Sequence, residues 1–157
     1  MTSDTPGTSG LRHKLGRLFG STARAVRVPN VDDDDLHVIV RSDDDATASS
    51  TVLEAAGFDS DRKVVLRHLL ELPETALDDA AASAALEGYS EGEVLPDDPA
   101  PSDGGLLLAL VRVQSVDART VSQERSRIAS LASRSGGRGL GWALLDVPVA
   151  SSTDTRR

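Results

Sequence analysis

Residues 105–147 decide the fold of this chain, and they read GLLLALVRVQSVDARTVSQERSRIASLASRSGGRGLGWALLDV. The segment begins with the apolar run 106–111 and then alternates with polar residues, which is typical of a strand buried first on both faces and then on one. Asp117 is a good N-cap, and apolar residues recur after it at helical spacing until Gly136, which predicts a helix. Residues 141–147 predict a second strand. The stretch is therefore expected to form a strand, a helix and a strand.

The residues before this stretch predict the elements with which it pairs. Residues 63–72 alternate and predict a strand with His68 on its core side. A helix is expected to follow from Pro73, because proline is favoured in a first helical turn, and Gly88 would end it. Residues 89–95 predict a short polar edge strand, joined to the next strand by a loop.

From residue 63 onward the predicted order is strand, helix, strand, strand, helix, strand, which is the ferredoxin-like βαββαβ pattern. We therefore predict an α+β fold in which four antiparallel strands carry two helices on one face. An extra N-terminal helix is predicted at 47–57, so the ferredoxin-like domain is expected to cover 47–149. The tail 150–157 is too polar to pack and is expected to be disordered.

The N-terminal segment 1–46 is expected to be mostly disordered, because it begins with small polar residues that bury little apolar area. Within it, apolar residues at helical spacing across 11–19 predict a short amphipathic helix among basic side chains. The alternative is a solvated tail. The apolar piece 36–40 is a further strand candidate. The acidic clusters 32–35 and 43–45 lack the alternating ligands and glycine turn of a calcium loop, so we interpret both as solvated charge.

The composition excludes several classes of function. The chain has no cysteine, which excludes a disulfide framework, a thiolate zinc site and a cysteine nucleophile. Its formal charge of −8 argues against direct nucleic-acid binding and favours a basic partner. No apolar run approaches the ~20 residues that span a bilayer, and no signal peptide is recognisable. We expect a cytoplasmic protein; recruitment to a membrane by residues 11–19 is the weaker alternative.

No catalytic, cofactor or metal site is predicted. His68 lies on an apolar strand face, where a histidine is more often a hydrogen-bonded core residue than a base. The glycine-rich stretch 136–141 precedes a strand, whereas a phosphate loop precedes a helix, so we interpret it as a connection that needs positive φ. The chain is therefore not expected to be an enzyme.

Four short motifs resemble a known family. They are His68-Leu69-Leu70-Glu71-Leu72-Pro73, Gly88-Tyr89, Gln123-Glu124-Arg125 and Gly141-Trp142. In order and spacing they resemble the RraB-like regulators, protein inhibitors of ribonuclease E, over about residues 51–147. Leu69 and Glu71 stand where that family usually has aromatic residues. The resemblance implies a non-catalytic protein that binds ribonuclease E, or a complex built on it, and so changes which RNAs are cut.

The sheet face away from the two helices is the predicted protein-binding surface, because it would mix aliphatic, aromatic and charged side chains as interfaces do. Its predicted residues are Arg67, Leu69, Glu71, Arg112, Gln114, Trp142 and Leu144. The open alternative is that the helix at 47–57 or a second subunit covers this face. A homodimeric ferredoxin-like sensor that holds a small molecule between two sheets is the alternative function.

Overall fold

The computed structural model describes residues 26–149. The predicted amphipathic helix at 11–19 and the tail 150–157 lie outside the described residues. The elements in chain order are β1 (His37–Ser42), α1 (Ser49–Ala55), β2 (Lys63–Pro73), α2 (Leu77–Leu86), β3 (Ser90–Gly92), β4 (Gly105–Ser115), α3 (Ala118–Arg134) and β5 (Arg138–Asp146). A single 3-10 turn, Glu74–Ala76, joins β2 to α2.

All strands belong to one antiparallel sheet with the order β1-β5-β2-β4-β3. The predicted α+β class is confirmed, but the sheet has five strands rather than four. β2 and β4, the two most apolar strands, lie side by side within the sheet, and the short polar β3 lies at one edge. Every residue of β2 from Val64 to Leu72 is buried.

The additional strand, β1, forms inside the segment 1–46 that was predicted to be mostly disordered. It pairs with β5 through Val38 opposite Leu145 and Ser42 opposite Trp142. Val40 is buried in the same apolar cluster as Trp142. The ordered part of the chain therefore begins before residue 47, because a short apolar piece between two acidic clusters gains a partner that lies about a hundred residues away.

The core lies between the sheet and the helices, and it consists of two neighbouring clusters on the even-numbered face of β2. Leu70 and Leu72 pack with Ala80 of α2 and Ile128 of α3. Further along the strand a second cluster holds Leu66 against α1 and the first turns of α3, with Leu53, Val121, Trp142 and Leu144 as its other main members. All three helices therefore pack on the same side of the sheet.

The ends of α3 match their sequence signals. The Asp117 carboxylate accepts a hydrogen bond of 2.7 Å from Thr120 N, so the predicted N-cap is confirmed. At the other end Gly136 adopts φ +78°, a conformation that favours glycine because no Cβ meets the backbone. β5 then begins at Arg138, three residues earlier than predicted.

Candidate functional site

The structure divides the seven predicted binding residues between the two faces of the sheet. Directly opposed residues of paired strands point to the same face. Since Leu66 is opposite both Arg112 and Leu144, and His68 is opposite Trp142, these three partners point to the helices. Gln114, opposite Val64, does the same. Only Arg67, Leu69 and Glu71 lie on the face away from the helices, so the expectation of one shared face is wrong.

The error has a physical cause in the composition of the strands. Residues 106–111 and much of 142–145 are apolar, so alternation does not show which residues point to which side. A shift of one residue exchanges the two faces of a strand completely. Only the register with β2 determines the face to which Trp142 points.

Arg112 belongs to a network that joins α3 to the sheet. Its guanidinium lies 4.6 Å from the centre of the Tyr89 ring and forms an ion pair of 3.1 Å with Glu124. Tyr89 Oη donates a hydrogen bond of 2.6 Å to Glu124 Oε2, and Arg112 Nε donates to Gln114 Oε1 at 2.8 Å. Burial, reinforced by the bond to Glu124, raises the pKa of Tyr89. These side chains stabilise the fold rather than present a surface.

On the other face, a loop after β3 covers Arg67. The Arg67 guanidinium forms an ion pair with Asp98, with Nη1 3.1 Å from Oδ1, and donates to Glu93 O at 2.9 Å. Asp98 also accepts hydrogen bonds from Leu95 N at 2.7 Å and from Arg41 at 3.2 Å. This segment is the loop expected between the edge strand and the next strand, and no local pattern marks Asp98, whose partner Arg67 is 31 residues away.

Glu71 is held in the same way at the far end of β2. It accepts hydrogen bonds of 3.0 Å from Ser102 N and 2.9 Å from Arg138 Nη2. Leu69, between Arg67 and Glu71 on this face, is buried. The described chain therefore covers all three predicted residues of this face, but not with the helix expected at 47–57, because α1 packs on the opposite side of the sheet.

Between the covered parts, one groove remains on the face away from the helices. It is a cavity of about 480 Å³ bounded on one side by residues 31–36 and on the other by β3 and the residues that follow it. Its floor is formed by Val65, Arg67, Val111 and Leu145. Its rim carries four carboxylates, from Asp32, Asp33, Asp34 and Glu93. Glu91 also lines the groove, but it is opposite Leu110, which packs in the core against the helices, so its carboxylate points to the helix side. We call it the acid-rimmed groove.

The charge of this groove suits a cationic ligand with an apolar part. Arg67, the one basic residue among the described residues that line the groove, is already paired with Asp98. On the rim, Asp33 is engaged by Arg27, whereas Asp32 and Asp34 are exposed. The acidic cluster 32–35, interpreted from sequence as solvated charge, thus borders an apolar floor. The acidic cluster is evident in the sequence, but only the fold shows that it lies beside this groove.

His68 is buried in the core, as predicted, but among residues 26–149 its Nε2 finds no hydrogen-bond partner. Burial lowers its pKa to about 3, and the nearby guanidinium groups of Arg112 and Arg125 act in the same direction. The Tyr89 ring meets it edge-on with 5.9 Å between ring centres. The imidazole is therefore an uncharged core side chain.

The described residues offer little for metal or phosphate chemistry. Within 26–149, no three His, Asp or Glu side chains come together as metal ligands would. In the same range, each helix is too short or too polar to cross a bilayer. In the glycine-rich stretch, a Cβ on Gly137 would lie 2.0 Å from Glu71 O, so glycine there permits close packing against β2. Positive φ, which was the predicted reason, applies at Gly136.

Comparison with known proteins gives a family match in the region that forms the sheet and helices. The sequence pattern of the family described as regulator of ribonuclease activity B matches residues 47–143, well over half of the chain. This match extends from α1 into β5 and includes Arg67, Glu91 and Glu93 of the groove. No curated protein is similar enough to the chain to count as a relative. The chain belongs to the RraB family, the regulators of ribonuclease activity B.

Proposed function

We propose that the chain is a non-catalytic cytoplasmic regulator that binds ribonuclease E, or a complex built on it, and thereby changes RNA cleavage. The observation that carries the proposal is the family match over residues 47–143, since the family is one of regulators of ribonuclease activity. Net charge supports contact with the protein rather than with its RNA substrate, because a charge of −8 repels phosphates.

The contact surface that we propose is the acid-rimmed groove. A basic and partly apolar segment of the ribonuclease would place an aliphatic or aromatic side chain against the half-buried Val31, Leu36 and Leu95 and its cations toward Asp34 and Glu93. Such pairing of an apolar centre with a charged rim is common in protein interfaces. Of the residues first predicted to bind, Arg67 lines this groove, where it holds Asp98 in place beneath the proposed contact surface.

The architecture that we propose for this binding unit is ferredoxin-like, formed by β2 to β5 with α2 and α3. Support comes from the order β5-β2-β4-β3 within the sheet, in which the first and third strands of the unit are adjacent. β1 and α1 would then be additions on the N-terminal side.

A cation-binding small-molecule sensor is the second candidate, favoured by the volume of the groove. Cavities of about 300–1,000 Å³ are usual for small ligands, and this one measures about 480 Å³. The sensor predicts a homodimer and a metabolite that raises the melting temperature. The regulator requires neither, so light scattering and thermal-shift measurements on the purified chain distinguish the two.

Affinity measurements test the regulator. The full chain and the host's intact ribonuclease E are mixed at low salt, and binding is followed by calorimetry together with the rate of RNA cleavage. We expect micromolar or tighter binding and altered cleavage. Absence of binding at micromolar concentrations in low salt would overturn the proposed function.

A matched pair of variants tests the surface. D34N/E93Q removes two exposed carboxylates from the rim, and E54Q/E87Q removes two exposed carboxylates from the helix side of the molecule. We expect the first to weaken binding about tenfold, as for charges that face a partner, and the second by less than about twofold. Equal weakening by both would show that the groove is not the contact surface.

A further inference from the structure

The described chain begins beside the acid-rimmed groove. Val26 is exposed, and the next residue, Arg27, forms an ion pair with Asp33 on the groove's rim. Arg27 Nη1 also lies 3.7 Å from Asp35 Oδ2. Residues 1–25 are therefore attached to the molecule at the edge of this groove rather than on the helix side.

The residues that precede Val26 are basic, whereas the rim of the groove is acidic. Residues 5–31 contain five arginine or lysine residues and no acidic one. Within 11–19, the apolar residues Leu11, Leu15, Leu18 and Phe19 recur at helical spacing, with Arg12, Lys14 and Arg17 among them. The groove presents three half-buried apolar side chains, Val31, Leu36 and Leu95, beside the carboxylates of its rim. The two are complementary in both charge and polarity.

The connection is long enough for the two to meet. Val26 follows Phe19 by seven residue steps, and an extended chain covers roughly 3.3–3.6 Å per step, or roughly 23–25 Å in all. Because the attachment point is at the rim, this reach exceeds the dimensions of a cavity of about 480 Å³, so Phe19 can lie over the groove. Tethering also raises the effective concentration of a short segment to about the millimolar range, so a weak intrinsic affinity suffices.

We propose that residues 11–19 of the same chain occupy the acid-rimmed groove, with their apolar side chains against the half-buried Val31, Leu36 and Leu95 and their cations toward the rim carboxylates. A basic partner segment must then displace them, so the N-terminal segment is an intramolecular competitor that weakens partner binding. The docking stands on the groove and the segment alone; its regulatory consequence rests on the proposed function.

Paramagnetic relaxation measures the docking directly. The chain has no cysteine, so Gly16→Cys gives a single site for a spin label in the full-length protein. We expect loss of amide signal from groove residues such as Val65, Gly92 and Val111. The same label at Ser133→Cys, exposed at the far end of α3, is the control and should leave these amides unaffected.

Charge variants test whether complementarity drives the docking. R12Q/K14Q/R17Q neutralises the segment, and K63Q/R119Q/R134Q removes the same number of positive charges from exposed positions elsewhere. The first should abolish the relaxation of the groove amides from the label at position 16, and the second should preserve it. Persistence of the effect in R12Q/K14Q/R17Q would overturn the proposal, as would absence of any effect in the otherwise unmodified chain.

A mixing experiment identifies the occupant. Spin-labelled protein without isotope label is mixed with isotope-labelled protein without spin label, and relaxation of groove amides in this mixture would mean that a second copy occupies the groove, which overturns the intramolecular proposal. If the label at position 16 instead relaxes no groove amide and the segment binds anionic lipid vesicles, the segment is a membrane anchor and the proposal is again overturned.

The regulatory consequence is measured separately. Ribonuclease E should bind R12Q/K14Q/R17Q about tenfold more tightly than the unmodified chain if a tethered competitor has been removed, and K63Q/R119Q/R134Q should show less than about a twofold change. If the spin label relaxes the groove amides but the chain does not bind ribonuclease E, only the proposed function is refuted. If the chain binds ribonuclease E but the label relaxes no groove amide, only the docking is refuted.

Discussion

At the scale of single residues, the polar side chains of β2 show that charge in a strand does not by itself indicate exposure. Arg67, His68 and Glu71 are all buried. Two of them are satisfied by groups far away in sequence, Arg67 by Asp98 and Glu71 by Ser102 and Arg138. The third, His68, is accommodated by remaining uncharged. We therefore expect each of these three side chains to affect the free energy of unfolding in its own way.

The Arg67 ion pair gives the first prediction. The Asp98 side chain is 0% exposed and that of Arg67 is 4% exposed, so Arg67→Met leaves a buried carboxylate without its main partner. Loss of one member of a buried pair typically costs about 3–5 kcal/mol, and we expect a decrease in the free energy of unfolding of at least about 3 kcal/mol. Urea denaturation measures it.

Arg41 supplies the matched control, since it bonds the same carboxylate from a side chain that is 23% exposed. Arg41→Met should cost only about 1 kcal/mol, because Asp98 keeps its hydrogen bonds from Arg67 and from Leu95 N. Equal losses in the two variants would contradict the assignment of Arg67 as the main partner of Asp98.

His68 gives a prediction about pH. Burial holds its pKa at about 3 in the folded state, below the ordinary histidine value of 6.5. Between these two values the unfolded chain binds a proton that the folded chain does not, so stability is complete above about pH 6.5 and falls as the pH decreases toward 3. The contribution to the slope is at most about 1.4 kcal/mol per pH unit.

Urea denaturation between about pH 7.5 and pH 5 measures this slope in the unmodified chain and in His68→Gln, which removes the titrating group. The variant should lose stability less steeply toward acid. The exposed His37→Gln is the control and should follow the unmodified chain. Parallel curves for all three proteins would show that His68 does not titrate on unfolding.

At the scale of elements, the connection from α3 to β5 shows why glycines cluster between residues 136 and 141. Gly136 adopts positive φ at the helix end, and Gly137 N donates a hydrogen bond of 2.8 Å to Ala132 O. Gly137 also lies against the backbone of Glu71 at the end of β2. The close approach of this turn to β2, rather than a ligand, accounts for the small residues.

Substitution of two neighbouring glycines tests this explanation. In Gly137→Ala the new Cβ would lie 2.0 Å from Glu71 O, and backbone cannot move aside as a flexible side chain can. We expect a loss of at least about 2 kcal/mol, at the upper part of the range for overpacking. Nothing lies within 4 Å of a Cβ at Gly139, so Gly139→Ala should cost less than about 1 kcal/mol. Thermal and urea unfolding measure both, and similar losses would contradict the steric account.

At the scale of the whole molecule, charge is divided unevenly along the chain. The five basic residues of 5–31 precede a remainder that is more acidic than the total of −8 indicates. Four of the carboxylates in that remainder lie on the rim of the acid-rimmed groove. The sequence therefore places a cationic segment next to residues that form an anionic surface.

This charge distribution predicts how association depends on salt. Screening over a Debye length of about 10 Å at about 0.1 M weakens steering between the groove and a basic partner. We expect the association rate constant with ribonuclease E to fall about tenfold between about 0.05 and 0.5 M salt, with a smaller change in the dissociation rate constant. Stopped-flow measurements check this, with D34N/E93Q as a variant whose association rate should depend less on salt. A salt-independent association rate would contradict electrostatic recruitment.

Sequence periodicity alone determined the positions of β2, β4, α2 and α3, the cap at Asp117 and the α+β class. Periodicity reports burial reliably where one side of an element meets solvent, as in α3. Only the tertiary structure decided the faces of β4 and β5, the pairing of β1, the partner of Arg67 and the location of the groove. The reason is that a strand apolar on both sides carries no signal of its orientation, and contacts between residues tens of positions apart arise only when the sheet sets the register of its strands.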